Sequence, residues 1–167
     1  GDEAASPPAR PGRRDSPNAR SCVLRVQAGG DGPVALLAGD LEKPQELQLV
    51  RRSPGLLAAD LLTAPHHGSK TSSSAAFLQA VSPRLAVAQA GYRNRFGHPA
   101  AEVAARYRAH GIPLAVSDAC GALTWDSAMP APWRCERASN RHFWRHEVHR
   151  DGAIADGGEP AQLRDSW

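Results

Sequence analysis

The stretch "ADLLTAPHHGSKTSSSAAFLQAVSP", residues 59–83, decides the fold. A short apolar run, "ADLLTAP", reads as a strand that ends at two histidines. Gly68 and a run of hydroxyls follow. "SSSAAFLQAVSP" then has the pattern of a helix with a serine N-cap, stopped before Pro83. Strand, polar turn and helix in succession make one unit of an α/β layer, so the same alternation is expected on both sides of it.

Upstream, "SCVLRVQA" and "PVALLAGD" are β-type runs flanking the turn signal "GGDG", which predicts a hairpin. "KPQELQLVRRS" sets Glu46, Leu47 and Val50 at helical spacing with a proline in the first turn. Downstream, "RLAVAQAG" is another buried strand. "PAAEVAARYRAHG" has the proline start and glycine stop of a helix. "IPLAVSD" and "GALTWDS" resemble a closing pair of strands. The alternation over residues 21–126 therefore predicts an α/β fold whose loops at strand ends carry the chemistry.

The chain has 167 residues, 41% of them hydrophobic, with 14 prolines and 15 glycines. That balance is low in apolar and high in turn-forming residues, so only part of the chain is expected to pack. Residues 1–20, rich in Pro, Ala and charge, are expected to be a disordered linker. The ordered domain is expected over 21–127 and a basic, aromatic tail, partly disordered, over 128–167. A net charge of +3 and a pI near 9.1 fit an anionic partner without demanding one. Cys22, Cys120 and Cys135 are odd in number and form no C-x-x-C, which favours neither a disulfide framework nor a zinc knuckle. Cys22, in an apolar run, is read as a small core residue. No apolar stretch approaches the roughly 18 to 20 residues that span a bilayer, and no signal-peptide pattern opens the chain.

Three loops carry candidate chemistry. In "LLAGDLE", Asp40 follows a strand and a glycine, which suits either a carboxylate aimed off the sheet or a helix N-cap. In "PHHGS", imidazoles suit a zinc-like ion, and strand alternation would send His66 and His67 to opposite sides. Two exposed histidines in a turn have the same sequence. Ser69, Lys70, Thr71 and Ser72 suit either a phosphate cradle or a capped helix start. In "GYRNRFGHPAAEV", Arg93 and Arg95 flank Asn94, with Tyr92, Phe96 and His98 beside them. Arginine forks bind phosphate and aromatic rings stack on bases, although basic loop residues are commonly just solvated and His98 can cap the next helix. In the tail, Arg134, Arg137, Arg141, Arg145 and Arg150 with Trp133, Phe143 and Trp144 suit either single-strand binding or a basic helix packed on the domain. His142, His146 and His149 share a helical face there, with no carboxylate or cysteine clearly placed to complete a metal shell.

The order of "SCVLRV", "LLAGDLE", "ADLLTAPHHGSKTSSSAAFL", "RNRFGHP" and "DACGALT" resembles the second half of a metallo-β-lactamase-fold domain. More closely, it resembles the C-terminal domain of ComEC-type DNA-internalisation competence proteins, from about Asn18 to Asp126. The resemblance implies half of an αββα sandwich and a site for two divalent ions, zinc or manganese. Asp40 maps to the bridging ligand, one of His66 and His67 to a further ligand, and His98 to a position near the scissile phosphate. Ser69, Lys70, Thr71, Arg93, Asn94 and Arg95 would then face DNA. The fold's main metal motif, His-x-His-x-Asp-His, is absent. The expectation is thus a piece of a larger bacterial inner-membrane protein, with this domain soluble on the periplasmic side and transmembrane segments and missing ligands upstream. In the parent, a metal-dependent nuclease would degrade the strand that is not imported. This piece alone would be inactive and hold no metal tightly. The implied partners are DNA, the rest of the polypeptide with its channel, and other competence proteins. A non-catalytic single-stranded DNA-binding module is the alternative.

Overall fold

The computed structural model describes residues 17–129 and 133–140. Five strands form one sheet in sequential order: β1 (Leu24–Gln27), β2 (Val34–Leu37), β3 (Leu61–Thr63), β4 (Leu85–Ala88) and β5 (Leu114–Val116). The β1–β2 pair is antiparallel, as the hairpin signal predicts, and the remaining pairs are parallel. Each parallel crossover carries a helix: α1 (Lys43–Arg52), α2 (Ala75–Val81) and α3 (Ala101–Ala109). Right-handed crossovers between strands laid down in sequential order put every helix on the same face.

Burial follows that topology. Val34, Leu36, Ala38, Leu62, Ala64, Ala86, Ala88, Leu114 and Val116 join Phe77, Leu78, Val81, Val103 and Tyr107 in one core between sheet and helices. The alternate strand positions point to the other face, which is only partly covered. There Leu24, Val26 and Leu37 are 56%, 48% and 37% exposed. A small second sheet, β6 (Leu123–Trp125) paired antiparallel with β7 (Trp133–Cys135), is linked to β5 by the short helix α4 (Ser117–Cys120), and its Trp125 and Trp133 line one cavity with Leu85. A last helical turn, α5 (Glu136–Ser139), follows β7. The fold is thus mixed α/β, with helices on one face of a sheet whose other face, among the described residues, is exposed at its β1–β2 end.

Several expectations need correcting. The segments "IPLAVSD" and "GALTWDS" do not pair: β5 closes the large sheet, and β6 turns back to find its partner at Trp133–Cys135. Residues 133–140 therefore belong to the fold, because the cross-strand indoles Trp125 and Trp133 and the buried Cys135 give the hairpin an apolar side. Cys120 and Cys135 form a disulfide, and Cys22 is free and exposed on the edge of the sheet rather than in the core. Order starts earlier than Ser21, since Pro17–Arg20 form a 3-10 turn and the Asn18 side-chain amide donates to Glu42 Oε1. The remainder of the tail, including His142, His146, His149, Phe143 and Trp144, lies outside the described residues, as does most of the proposed N-terminal linker. Among the described residues, no helix is long and apolar enough to cross a membrane.

Candidate functional site

The three loops singled out in the sequence follow the carboxyl ends of β2, β3 and β4, neighbours in the sheet, and so they meet along one edge. Backbone bonds tie them together: His66 N–H donates to Gly39 C=O, Lys43 N–H to Thr71 C=O, and Ala100 N–H to Gly68 C=O. Two glycines make this approach possible. Gly39 has φ +55°, and a Cβ there would sit 2.9 Å from the Cys22 carbonyl oxygen. Gly68 has φ +81°, and its Cβ would lie 2.6 Å from Pro99 Cβ.

The histidines do not follow strand alternation. β3 stops at Thr63, and Pro65–Gly68 form a 3-10 turn in which His66 and His67 both have positive φ, 48° and 56°. Positive φ outside glycine is uncommon and costly, and it persists where surrounding structure fixes it. Its effect is to aim both imidazoles at the acidic loop after β2. His67 Nε2 lies 3.6 Å from Asp40 Oδ1, and His66 Nδ1 lies 3.7 Å from Glu42 Oε1. Asp40 is not an N-cap; that position before α1 is Glu42, which makes no side-chain cap bond. Glu42 is the residue that sequence reading missed. Its signal was the "Asp-x-Glu" spacing, which puts two carboxylates in one loop.

His98 completes the cluster, with its ring centroid 6.0 Å from that of His66. It does not cap α3, whose N-cap is Ala100. Instead its backbone N–H donates to Asn94 Oδ1, while Asn94 Nδ2 donates to the His98 carbonyl. Both ends of the Asn94 amide are therefore spent on closing the loop. His98 Nδ1 is buried without a hydrogen-bond partner. Burial, and then the neighbouring His66 and His67, hold its imidazole below the ordinary histidine range.

The hydroxyl run faces inward more than outward. Ser69 Oγ pairs with Thr71 Oγ1 at 3.2 Å, and Thr71 Oγ1 reaches Glu42 Oε1 (3.4 Å) and His66 Nδ1 (3.5 Å). Ser72 Oγ donates to the carbonyls of Pro65 and Ser69. Lys70 remains exposed at the tip. Beneath this turn, Glu46 of α1, fully buried, accepts the backbone N–H groups of Ser73 and Ser74. Arg106 of α3 donates to the Ser72 and Ser73 carbonyls, and Tyr107 Oη pairs with Ser73 Oγ. Burial pushes the Glu46 carboxyl up, against the lowering pull of those N–H groups and of Arg106. The chemistry-bearing turn is thus clamped from both neighbouring helices.

Arg93 and Arg95 lie against aromatic rings of their own loop. Arg93 lies 5.2 Å from the Tyr92 ring centroid and Arg95 4.7 Å from that of Phe96. In the described part of the tail, Arg137 packs on Gly121, and its Nε is buried.

A catalytic zinc-type ion takes three protein ligands and a water. The donors here come in pairs, Asp40 with His67 and Glu42 with His66, and among the described residues no three His, Cys, Asp or Glu side chains converge to hold a metal. The residues present do not fit a complete metal site.

No protein-family profile matches the chain. It is 51% identical over 106 residues to the competence protein ComA of Neisseria gonorrhoeae, which covers 64% of this chain and 15% of that protein. It is 36% identical over 110 residues to ComE operon protein 3 of Bacillus subtilis, 66% of this chain and 14% of the relative. To recombination protein 2 of Haemophilus influenzae it is 39% identical over 82 residues, 49% of this chain and 10% of the relative. The chain thus spans between 10% and 15% of the length of these relatives.

Proposed function

Taking as premise that the homologues of this chain are ComEC-type competence proteins, we propose that it is the DNA-handling part of a DNA-uptake protein. On this reading it contributes one side of a phosphodiesterase site that degrades the strand not imported. The observation that carries the reading is the meeting of three carboxyl-end loops at one sheet edge, with Asp40, Glu42, His66, His67 and His98 gathered there and Lys70, Arg93 and Arg95 in the same turns. Exposed cations beside a carboxylate–imidazole cluster suit a phosphodiester: the cations hold the phosphate, and the imidazoles stand where a proton is taken or given.

The donor set is half of what a metal-dependent nuclease requires. Two divalent ions at this edge need ligands from outside the described residues, and we assign those to other parts of a longer polypeptide. The sheet supports that assignment, because its second face exposes Leu24, Val26 and Leu37 where a second layer of an αββα sandwich would pack. A longer polypeptide also supplies the membrane channel and the periplasmic placement that this role implies.

The test uses the longest natural polypeptide that carries this segment. It is expected to cleave single-stranded DNA with added zinc or manganese, and Asp40→Ala should abolish cleavage. Cleavage at the wild-type rate by that variant would remove the assignment.

A further inference from the structure

Phe96 is 66% exposed, an unusual place for a benzyl group in a loop otherwise closed by polar bonds. The loop holds it outward. Asn94 N–H and Nδ2 both donate to the Gly91 carbonyl, Gly97 N–H donates to the Asn94 carbonyl, and the Asn94 amide locks the His98 backbone. The ring lies nearly parallel to the His98 imidazole, 16° between planes and 5.6 Å between centroids. The Arg95 guanidinium sits over the ring at 4.7 Å. From His98 the next ring is His66, and from His66 the next is His67 beside Asp40.

We propose that Phe96, with Arg95, is the residue that selects unpaired nucleotides for this site. A base stacked on an aromatic ring is held more strongly than a surface guanidinium in the same place, so a base displaces Arg95 from the ring. The released guanidinium is then free to pair with the phosphate of the same nucleotide, a geometry that its fork suits. Bases inside a duplex have both faces covered by their neighbours and must be unstacked before they can reach Phe96. The platform therefore favours a single strand and delivers it one ring away from the histidine cluster. This inference rests on the reading that the partner is DNA, and it is independent of whether that DNA is cut.

The experiment is fluorescence anisotropy of the 167-residue chain with a labelled oligothymidine and with a duplex of equal length, over a salt series. Phe96→Ala is expected to weaken single-strand binding roughly 5- to 100-fold and to leave duplex binding unchanged. Phe96→Leu should behave like Phe96→Ala, and Phe96→Trp should restore wild-type affinity. Arg95→Ala should weaken both ligands and reduce the salt slope by about one. Equal losses for strand and duplex, no loss in Phe96→Ala, or a wild-type chain that does not prefer the single strand would each overturn the proposal. Selective binding without cleavage in the longer polypeptide would instead count against the phosphodiesterase reading alone.

Discussion

At the scale of single residues, Glu46 explains how the histidine turn is held. A carboxylate with no solvent exposure is costly unless its oxygens are satisfied, and here it takes the N–H groups of Ser73 and Ser74, which have no helical partner at the start of α2. Glu46→Gln keeps the shape but turns an amide donor toward one of those N–H groups. The expected cost is about 1–3 kcal/mol in a urea melt. Its pH dependence has a definite sign. Because the folded-state pKa is raised above the ordinary value of 4.5, the native state binds more protons than the unfolded chain just above that pH. The wild type therefore loses stability as pH rises from 4.5 through the folded pKa, and the glutamine variant does not. The gap between them should be widest in acid and shrink with rising pH. A gap that widens instead would show a carboxylate held down rather than up.

At the scale of elements, the boundaries of the strand–helix units were legible. Proline at the start of α1, the Ser74 N-cap of α2 and the stop before Pro83 are local signals, and local chemistry honours them. What was not legible depends on partners distant in sequence. The histidine pair sits in left-handed backbone tied to Gly39 on one side and to Ala100 on the other, which no alternation rule contains. Asp40 and His98 could be singled out by their neighbours in sequence, whereas the Asp-x-Glu spacing marked Glu42 only weakly until the turn after β3 folded back onto it. The hairpin of β6 and β7 was missed for a related reason. Its pairing joins segments on either side of a proline-containing stretch, and the cysteines that fix it are an odd three in the chain, 15 residues apart in the pair that forms. Closing a loop of that size contributes about 3 kcal/mol by restricting the unfolded chain. The hairpin also walls a cavity of about 310 Å³ lined by Asp60, Arg84, Trp125 and Trp133. Cys135→Ser should lower the melting temperature. It should also shift indole emission to the red as Trp125 and Trp133 loosen. A melt unchanged by this substitution and by reductant would mean that the hairpin is held by packing alone.

At the scale of the whole molecule, the sheet has two unlike sides. One is sealed by three helices; on the other Leu85 and Ala115 are buried, while among the described residues the β1 end is bare. All four residues of β1 are exposed, and among the described residues the strand has a neighbour on one side only. The consequence is colloidal. An open edge next to an apolar face is a template for a further strand, from another copy when nothing else is present, and a lone Arg25 is slight protection. The apparent mass of the isolated chain by light scattering should therefore climb with protein concentration, and Val26→Lys should hold it at the monomer value without lowering the melting point.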